Sequence, residues 1–454
     1  MKIVRWLRGV VSVALVLSGL TLYLIHTSPV RRFTLTRIQA YLRENPGLVL
    51  QVGEFDYNLF SSKLEFKQVA LNGLPSQAPR ASLRARHVVV RIPAWRMALG
   101  SLDHAQIWID GLTVDWTRPE NHATNWPAIQ HAKASSMSRL PKILAINCEL
   151  NLQDRGSGAS IHLPNGRLSV AWSPARNEHG ITFGSSSGYV QWKQSRLALD
   201  QVQLNSALVS SGFSLSSLQV VSGASRAEIS GTVSGSPAQI HAQGAFDVDL
   251  RELSTPLGFT EPAQGRIKAE LSAAGPVQTV QIKGQLSSDR LTMRKTPITN
   301  VNAAALLDTA TGQLEISNLS GEIFSGHLTA KGNLRSGEHE PRSELTVRLA
   351  GIDPRQIART AGYVIPYVPR TSVEVSASWP GLEWRRVSLA GSARSGSAKL
   401  NFRAASDPKS IRASLQATLG DGATTQGDIA VTLPAHVLSG NFTGKISSIG
   451  AVTE

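Results

Sequence analysis

The chain of 454 residues has one cysteine, Cys148, which excludes an intramolecular disulfide and any zinc site built on cysteine pairs. Cys148 alternates with the apolar Ile146 and Leu150 and reads as a buried, inert thiol, with a reactive thiol as the alternative. Charge is scarce, at 17% of residues against roughly 25% in ordinary soluble domains. Aromatics reach only 6%, and no basic cluster interleaved with aromatics occurs, so the footprint of a nucleic-acid surface is missing. No H-E-x-x-H, C-x-x-C, G-x-x-x-x-G-K or G-x-G-x-x-G occurs, which removes the common zinc-protease, dithiol, phosphate-loop and dinucleotide signatures and leaves no cofactor implied. The eleven histidines show no metal-ligand spacing, and His104, His122, His131 and His179 read as surface or loop residues. Gly184-Ser185-Ser186-Ser187-Gly188 has the letters of a nucleophile elbow, but its Ser-rich surroundings read as a polar hairpin turn without a strand-to-helix context. The nine tryptophans, among them Trp108, Trp116, Trp126 and Trp172, read as sheet packing rather than a ligand platform.

What is present is apolar, small and basic. Apolar residues make up 41%, glycine reaches 38, and 46 Lys plus Arg against 32 Asp plus Glu give a net charge of +14, which attracts polyanions and anionic lipid headgroups. Lys2, Arg5 and Arg8 precede Gly9–Ile25, a 17-residue run without charge, which predicts a single transmembrane helix carried by Gly9, Val13, Leu17, Leu20, Leu24 and Ile25. A cleaved signal peptide is the competing reading; Leu17-Ser18-Gly19 is its best site, whereas the run itself ends in Tyr23-Leu24-Ile25-His26, a poor peptidase site. Arg31, Arg32 and Arg37 balance the basic residues before the run, so loop charge barely sets orientation. Long downstream domains translocate regardless, which places the bulk of the chain outside the cytoplasm.

Phe33, Leu35, Ile38 and Leu42 recur at helical spacing up to Pro46-Gly47, predicting an amphipathic helix over 27–46. Its Arg31, Arg32, Arg37 and Arg43 could rest on headgroups, and its apolar side could equally cap a β-structure. From Leu48 the period becomes two. Leu64 and Phe66 alternate with charged neighbours, then Val69 and Leu71 resume on the other parity, predicting a bulge or a break. Ile107 and Ile109, then Leu112, Val114 and Trp116, predict a strand, turn, strand pair around Asp110-Gly111, and 93–99 reads as a short helix. His131–Pro141 reads as a module boundary. Beyond it, alternating strands run on, with polar or small residues between the apolar ones, so each sheet should have one apolar and one wet face. Val248-Asp249-Leu250-Arg251-Glu252-Leu253 matches Ile352-Asp353-Pro354-Arg355-Gln356-Ile357 at an offset of 104 residues, a repeat in which Asp249 and Asp353 cap short helices. The segments that follow are 1–8, the anchor 9–26, the helix 27–46, a β module 47–140, a strand region 141–246 and repeated β modules 247–454.

The anchor followed by an Arg-rich helix and Gly47-Leu48-Val49-Leu50-Gln51-Val52-Gly53, the stretch Gly100–Trp116 with Thr124-Asn125-Trp126-Pro127 after it, and Leu314–Gly332 together resemble AsmA/TamB-like proteins of the bacterial envelope. The likeness runs loosely over nearly the whole chain; this chain is short for a TamB-like protein. The resemblance implies a mostly β fold: an N-terminal transmembrane helix, then an elongated antiparallel sheet curled into an open groove, with a few short helices. It implies a non-catalytic, single-pass inner-membrane protein with its bulk in the periplasm, moving phospholipid toward the outer membrane or aiding outer-membrane biogenesis. Its partners would be phospholipid, the inner membrane and an outer-membrane assembly protein. Strand parity puts Leu314, Ile316, Leu345, Val347, Val373 and Val375 on the groove lining. A periplasmic scaffold working through protein contacts at its sheet edges is the competing function.

Overall fold

A computed structural model describes residues 28–44, 48–58, 61–73, 82–93, 105–118, 141–192, 195–209, 212–254, 263–293, 296–335, 342–360, 362–365, 369–381, 383, 386–406, 410–420, 423–432 and 437–446. The anchor residues Gly9, Val13, Leu17, Leu20, Leu24 and Ile25, the 93–99 helix beyond Pro93, and His104, His122, Trp126 and His131 lie outside them. Among the described residues no helix is long and apolar enough to cross a membrane. Strand dominates, and the chain divides into two compact units between Gly223 and Ala224. The boundary expected at 246/247 falls inside a strand.

The first unit opens with α1 (Ser28–Glu44), then β1 (Leu48–Asn58), β2 (Lys63–Gly73), β3 (Ser82–Arg91) and β4 (Gln106–Arg118). After these come β5 (Lys142–Asp154), β6 (Ala159–Ser173), β7 (Glu178–Ser185), β8 (Gly188–Trp192), β9 (Ser195–Leu199), β10 (Gln201–Val209) and β11 (Gly212–Ser222). The strands β1 to β4 form an antiparallel meander. The next pair, β4 and β5, is parallel, which corrects the expectation of a purely antiparallel sheet. The reason is the connection: residues 119–141 supply the dozen or more positions a parallel crossover needs, whereas a hairpin turn would have reversed the strand. Strand β6 forks, its first residues pairing with β8 and its later ones with β7, which continues to β10 and β11. The only buried hydrophobic cluster among the described residues, Leu163, Leu199 and Val202 with Phe183 and Leu218 against it, fills this fork.

Helix α1 lies along β1, the edge strand. Gln39 Nε2 donates to the Leu50 carbonyl at 3.1 Å, and Arg31 pairs with Asp56 at 3.0 Å. The helix therefore covers an otherwise open sheet edge, with these polar contacts among those that hold it, while Phe33 of its apolar side is 62% exposed.

Asp110-Gly111 is not a turn: β4 runs unbroken through it. Gly111 has φ +66°, and left-handed residues stand at comparable places in the neighbouring strands, Gln68 (+51°), Asn147 (+54°) and Asn165 (+54°). Each sits where the apolar positions change parity: Leu64 and Phe66 before, Val69 and Leu71 after; Ile143 and Ala145 before, Cys148 and Leu150 after. One left-handed residue turns the chain without ending the strand, so the apolar side chains stay on one side. The parity switch at β2 is thus a bulge, not a break.

The second unit comprises β12 (Ser225–Ser234), β13 (Gln239–Asp249), α2 (Leu250–Ser254), β14 (Gln264–Pro276), β15 (Gln281–Met293), β16 (Thr296–Asp308) and β17 (Gln313–Ile323). It continues with β18 (Gly326–Arg335), β19 (Arg342–Ile352), α3 (Pro354–Thr360), β20 (Thr371–Pro380), β21 (Ser388–Ser395), β22 (Ala398–Ser406), β23 (Ser410–Leu419), β24 (Ala423–Thr432) and β25 (Val437–Ile446). Each strand pairs antiparallel with the next, and among the described residues no ladder joins β12 to β25, so the sheet is open.

The repeat in the sequence is repeated in contacts. Asp249 Oδ1 accepts from the Arg251 amide at 3.0 Å and its carboxylate holds the Arg251 guanidinium; Asp353 does the same with Arg355, at 3.0 Å from the amide. Both carboxyls are held below the usual carboxylate range, first by the arginine side chain. Capping by these two aspartates is as expected. In the Leu314–Gly332 phrase the turn falls at Phe324-Ser325, both left-handed (φ +51° and +59°), rather than at a glycine. Ser325 Oγ accepts from Gln356 Nε2 at 2.7 Å, tying this turn to α3.

Candidate functional site

In the second unit the ladders set apolar positions opposite one another, strand after strand. One row runs Phe246, Ala269, Leu286, Ala303 and then, past a bulge, Leu319, Ala330, Val347, Val375, Gly391, Phe402 and Leu415. The next row contains Leu271, Gly284, Ala305, Ile316, Gly332, Leu345 and Ala377. These rows are half-buried, apart from the more exposed Leu271 and the buried Ala330, and the residues between them, such as Lys268, Glu270, Lys283, Arg348 and Glu374, are exposed. The alternation is that of a sheet with one dry and one wet side.

The six residues read from sequence as a lining come together on this face. Leu314 and Ile316 stand opposite Leu334 and Gly332 of β18; Gly332 in turn faces Leu345, Val347 faces Val375, and Leu349 faces Val373. Their opposite-parity neighbours face the other way: Arg348 Nη2 donates to Glu374 Oε2 at 2.9 Å, and Thr346 and Ser376 hydroxyls lie 3.5 Å apart. Large and small side chains alternate across the strands, as in Ile316, Gly332 and Leu345. A Cβ on Gly332 would lie 2.9 Å from Leu345 Cα and nearer still to the Glu344 carbonyl oxygen, so the position is closed to any larger residue. Of the hydrophobic side chains in this unit, only Ala263, Val301, Ala330 and Ile352 are buried, so the face has no second layer packed over it among the described residues.

A cavity of about 590 Å³ opens on the apolar face across β20 to β24, lined by Ala393, Ala398, Leu400, Ala417, Leu419 and Thr425. Two others lie on the wet face: about 720 Å³ around Glu270, Lys283 and Gln285, and about 660 Å³ around Thr346, Ser376 and Arg403. Concavity therefore occurs on both sides of the sheet.

The wet face of the first unit carries a polar chain across its strands. Arg84 pairs with Asp115 at 2.8 Å, Asn151 donates to Asp115 at 2.9 Å and lies 2.6 Å from His162 Nδ1, and Arg196 stacks 3.7 Å over the Tyr189 ring beside His162. These groups are mutually satisfied and gather no nucleophile with a base. Ser185 is buried, and its hydroxyl donates within reach of the Pro164 and Ser187 carbonyls at 2.7 and 2.8 Å, a structural role. Its neighbours Ser186-Ser187 join β7 to β8, which both pair with β6 and not with each other, so the segment is a crossing link rather than the expected hairpin turn.

Two side chains differ from their sequence reading. His179 is 1% exposed, in β7 against the Trp172 ring at 4.7 Å, and burial pushes its pKa down; it is not a surface histidine. No signal in the sequence names this burial; it follows from the register that sets His179 opposite Trp172. Trp108, read as packing, is half exposed. Cys148 is buried, and burial raises its pKa, so the thiol stays protonated as its apolar setting implied. Among the described residues no group of three or more His, Cys, Asp or Glu could hold a metal ion. No protein-family profile matches the chain, and no curated protein matches it.

Proposed function

We propose that this protein is a non-catalytic envelope protein of the AsmA/TamB-like kind that carries phospholipid acyl chains along the apolar face of its second unit. In this reading Gly9–Ile25 anchors it in the inner membrane, the bulk of the chain stands in the periplasm, and lipid passes toward the outer membrane. The observation that carries the reading is the pair of apolar rows between β13 and β23, mostly half-buried and uncovered among the described residues. Strands spaced about 4.8 Å apart make such rows a stripe tens of ångströms long, far beyond the isolated apolar patches of a soluble monomer. Each acyl CH₂ removed from water against it gains about 0.8 kcal/mol, so a continuous stripe lowers the cost of moving a lipid at every step. Headgroups would remain at the wet margin of the open sheet.

A photo-crosslinking residue at Val347 or Val373, and separately at Thr346 or Glu374, tests this in cells. Phospholipid captured at the first pair alone is the expected result. Protein crosslinks at both parities with no lipid would leave the scaffold reading, which the outer edge of β25 favours, since that edge has no partner among the described residues.

A further inference from the structure

The connection between β19 and β20 presents an apolar tip that nothing covers among the described residues. Helix α3 ends in a fixed geometry: Gly362 has φ +83°, its amide donates to the Arg359 carbonyl at 3.0 Å, and the Tyr363 amide donates to the Ala358 carbonyl at 2.8 Å. This is the paired-bond glycine stop of a helix, in which the residue after the glycine ordinarily folds back onto the last helical turn. Tyr363 does not, being 70% exposed; Val364 beside it is 96% exposed, and Ile357 on α3 is 38% exposed. The backbone is tied down while the apolar side chains point into solvent. At Tyr363 and Val364 that combination is a displayed tip.

The charge around the tip has one sign. From Pro354 to Val373 there is no acidic residue, while Arg355, Arg359 and Arg370 all occur there. Arg359 and Arg370 are exposed, and Arg355 is engaged with Asp353. The equivalent stretch of the other repeat, Leu250 to Ala263, also carries apolar residues after its short helix, Leu257 and Phe259, but includes Glu252 and Glu261. The basic surround is thus particular to the second copy.

We propose that Tyr363 and Val364 enter the interfacial layer of an anionic lipid bilayer while Arg359 and Arg370 meet its phosphates. A tyrosine suits that layer because its ring is apolar and its hydroxyl stays wet. A protein partner would have to supply a pocket shaped to the tip and carboxylates for the arginines; a bilayer supplies both chemistries without shape. The inference does not rest on lipid carriage along the sheet.

The test uses the full chain reconstituted in vesicles, with further vesicles added, in a Cys148→Ala background. An environment-sensitive fluorophore is attached at Tyr363→Cys or, at the opposite end of the strands of the same unit, at Thr311→Cys. With phosphatidylglycerol vesicles the 363 label should shift to the blue and be quenched by nitroxide lipid, and the 311 label should remain water-like. Phosphatidylcholine alone should give a weaker shift. Arg359→Glu with Arg370→Glu should weaken the response by about tenfold or more, and Arg370→Glu alone, which is exposed and away from the Asp353 carboxylate, should weaken it with an unchanged unfolding midpoint. A water-like 363 label in anionic vesicles overturns the proposal, as does an equal shift at 311, or a shift obtained only when a protein extract replaces the vesicles. Lipid capture at Val347 with a water-like 363 label removes this inference alone; the reverse pattern removes lipid carriage alone.

Discussion

His179 shows how a single buried side chain writes a pH dependence. Burial lowers its pKa in the folded chain, so above about pH 6.5 the imidazole is neutral folded or unfolded and contributes no slope. As pH falls through that value the unfolded chain takes the proton first, and the folded state loses stability. The unfolding midpoint should therefore drop between about pH 7.5 and about pH 5.5, and His179→Phe should reduce the drop; calorimetric scans at the two pH values check it. Asp249 and Asp353 act in a separate window. Their lowered carboxyl pKa values give stability that is present above about pH 4 and lost below it, as the arginine-bound carboxylates are protonated. Asp249→Asn and Asp353→Asn should each flatten the acid limb of the stability curve while leaving the histidine window intact.

At the scale of strands, the left-handed residues of the first unit decide which side each apolar residue takes. Gly111→Val would force a β-branched side chain into φ +66° and against the Arg86 guanidinium, at a cost of about 1–3 kcal/mol by strain alone. Asn147→Gly, at φ +54°, should stay within about 1 kcal/mol of the parent. Urea unfolding of the two variants separates these outcomes. In the second unit Gly332→Ala should destabilise by about 1–3 kcal/mol, because the β19 backbone leaves its Cβ no room. Much of this was legible in the sequence. The alternation gave the two-sided strands, the repeated Asp-x-Arg gave the capped helices, and the parity of Leu314, Ile316, Leu345, Val347, Val373 and Val375 gave one shared face. The parallel β4–β5 pair, the fork at β6 and the burial of His179 were not legible, since each depends on which distant strand arrives as neighbour, and alternation within a strand does not name its partner. Asp110-Gly111 misled because a glycine that bends a strand and a glycine that reverses it have the same letters.

For the molecule as a whole, the scarcity of buried hydrophobic side chains among the described residues of the second unit shifts the question from stability to occupancy. Under the proposed lipid carriage, the chain purified from a membrane fraction should carry phospholipid, measured by mass spectrometry of an organic extract. Val347→Asp or Val375→Asp, placing a carboxylate among acyl chains, should lower the lipid load about tenfold or more, and Thr346→Asp on the wet side should leave it unchanged. The row of left-handed residues in the first unit has a consequence of a different kind. A strand that contains a phase reset can gain or lose one residue and recover by moving the reset along its length, with its dry side still dry. An ordinary alternating strand has no such tolerance: one inserted residue turns everything beyond it inside out. The seam at Gln68, Gly111, Asn147 and Asn165 therefore makes these strands editable in length, and a sheet of this type can be stretched or trimmed across its width by single codons without a new fold.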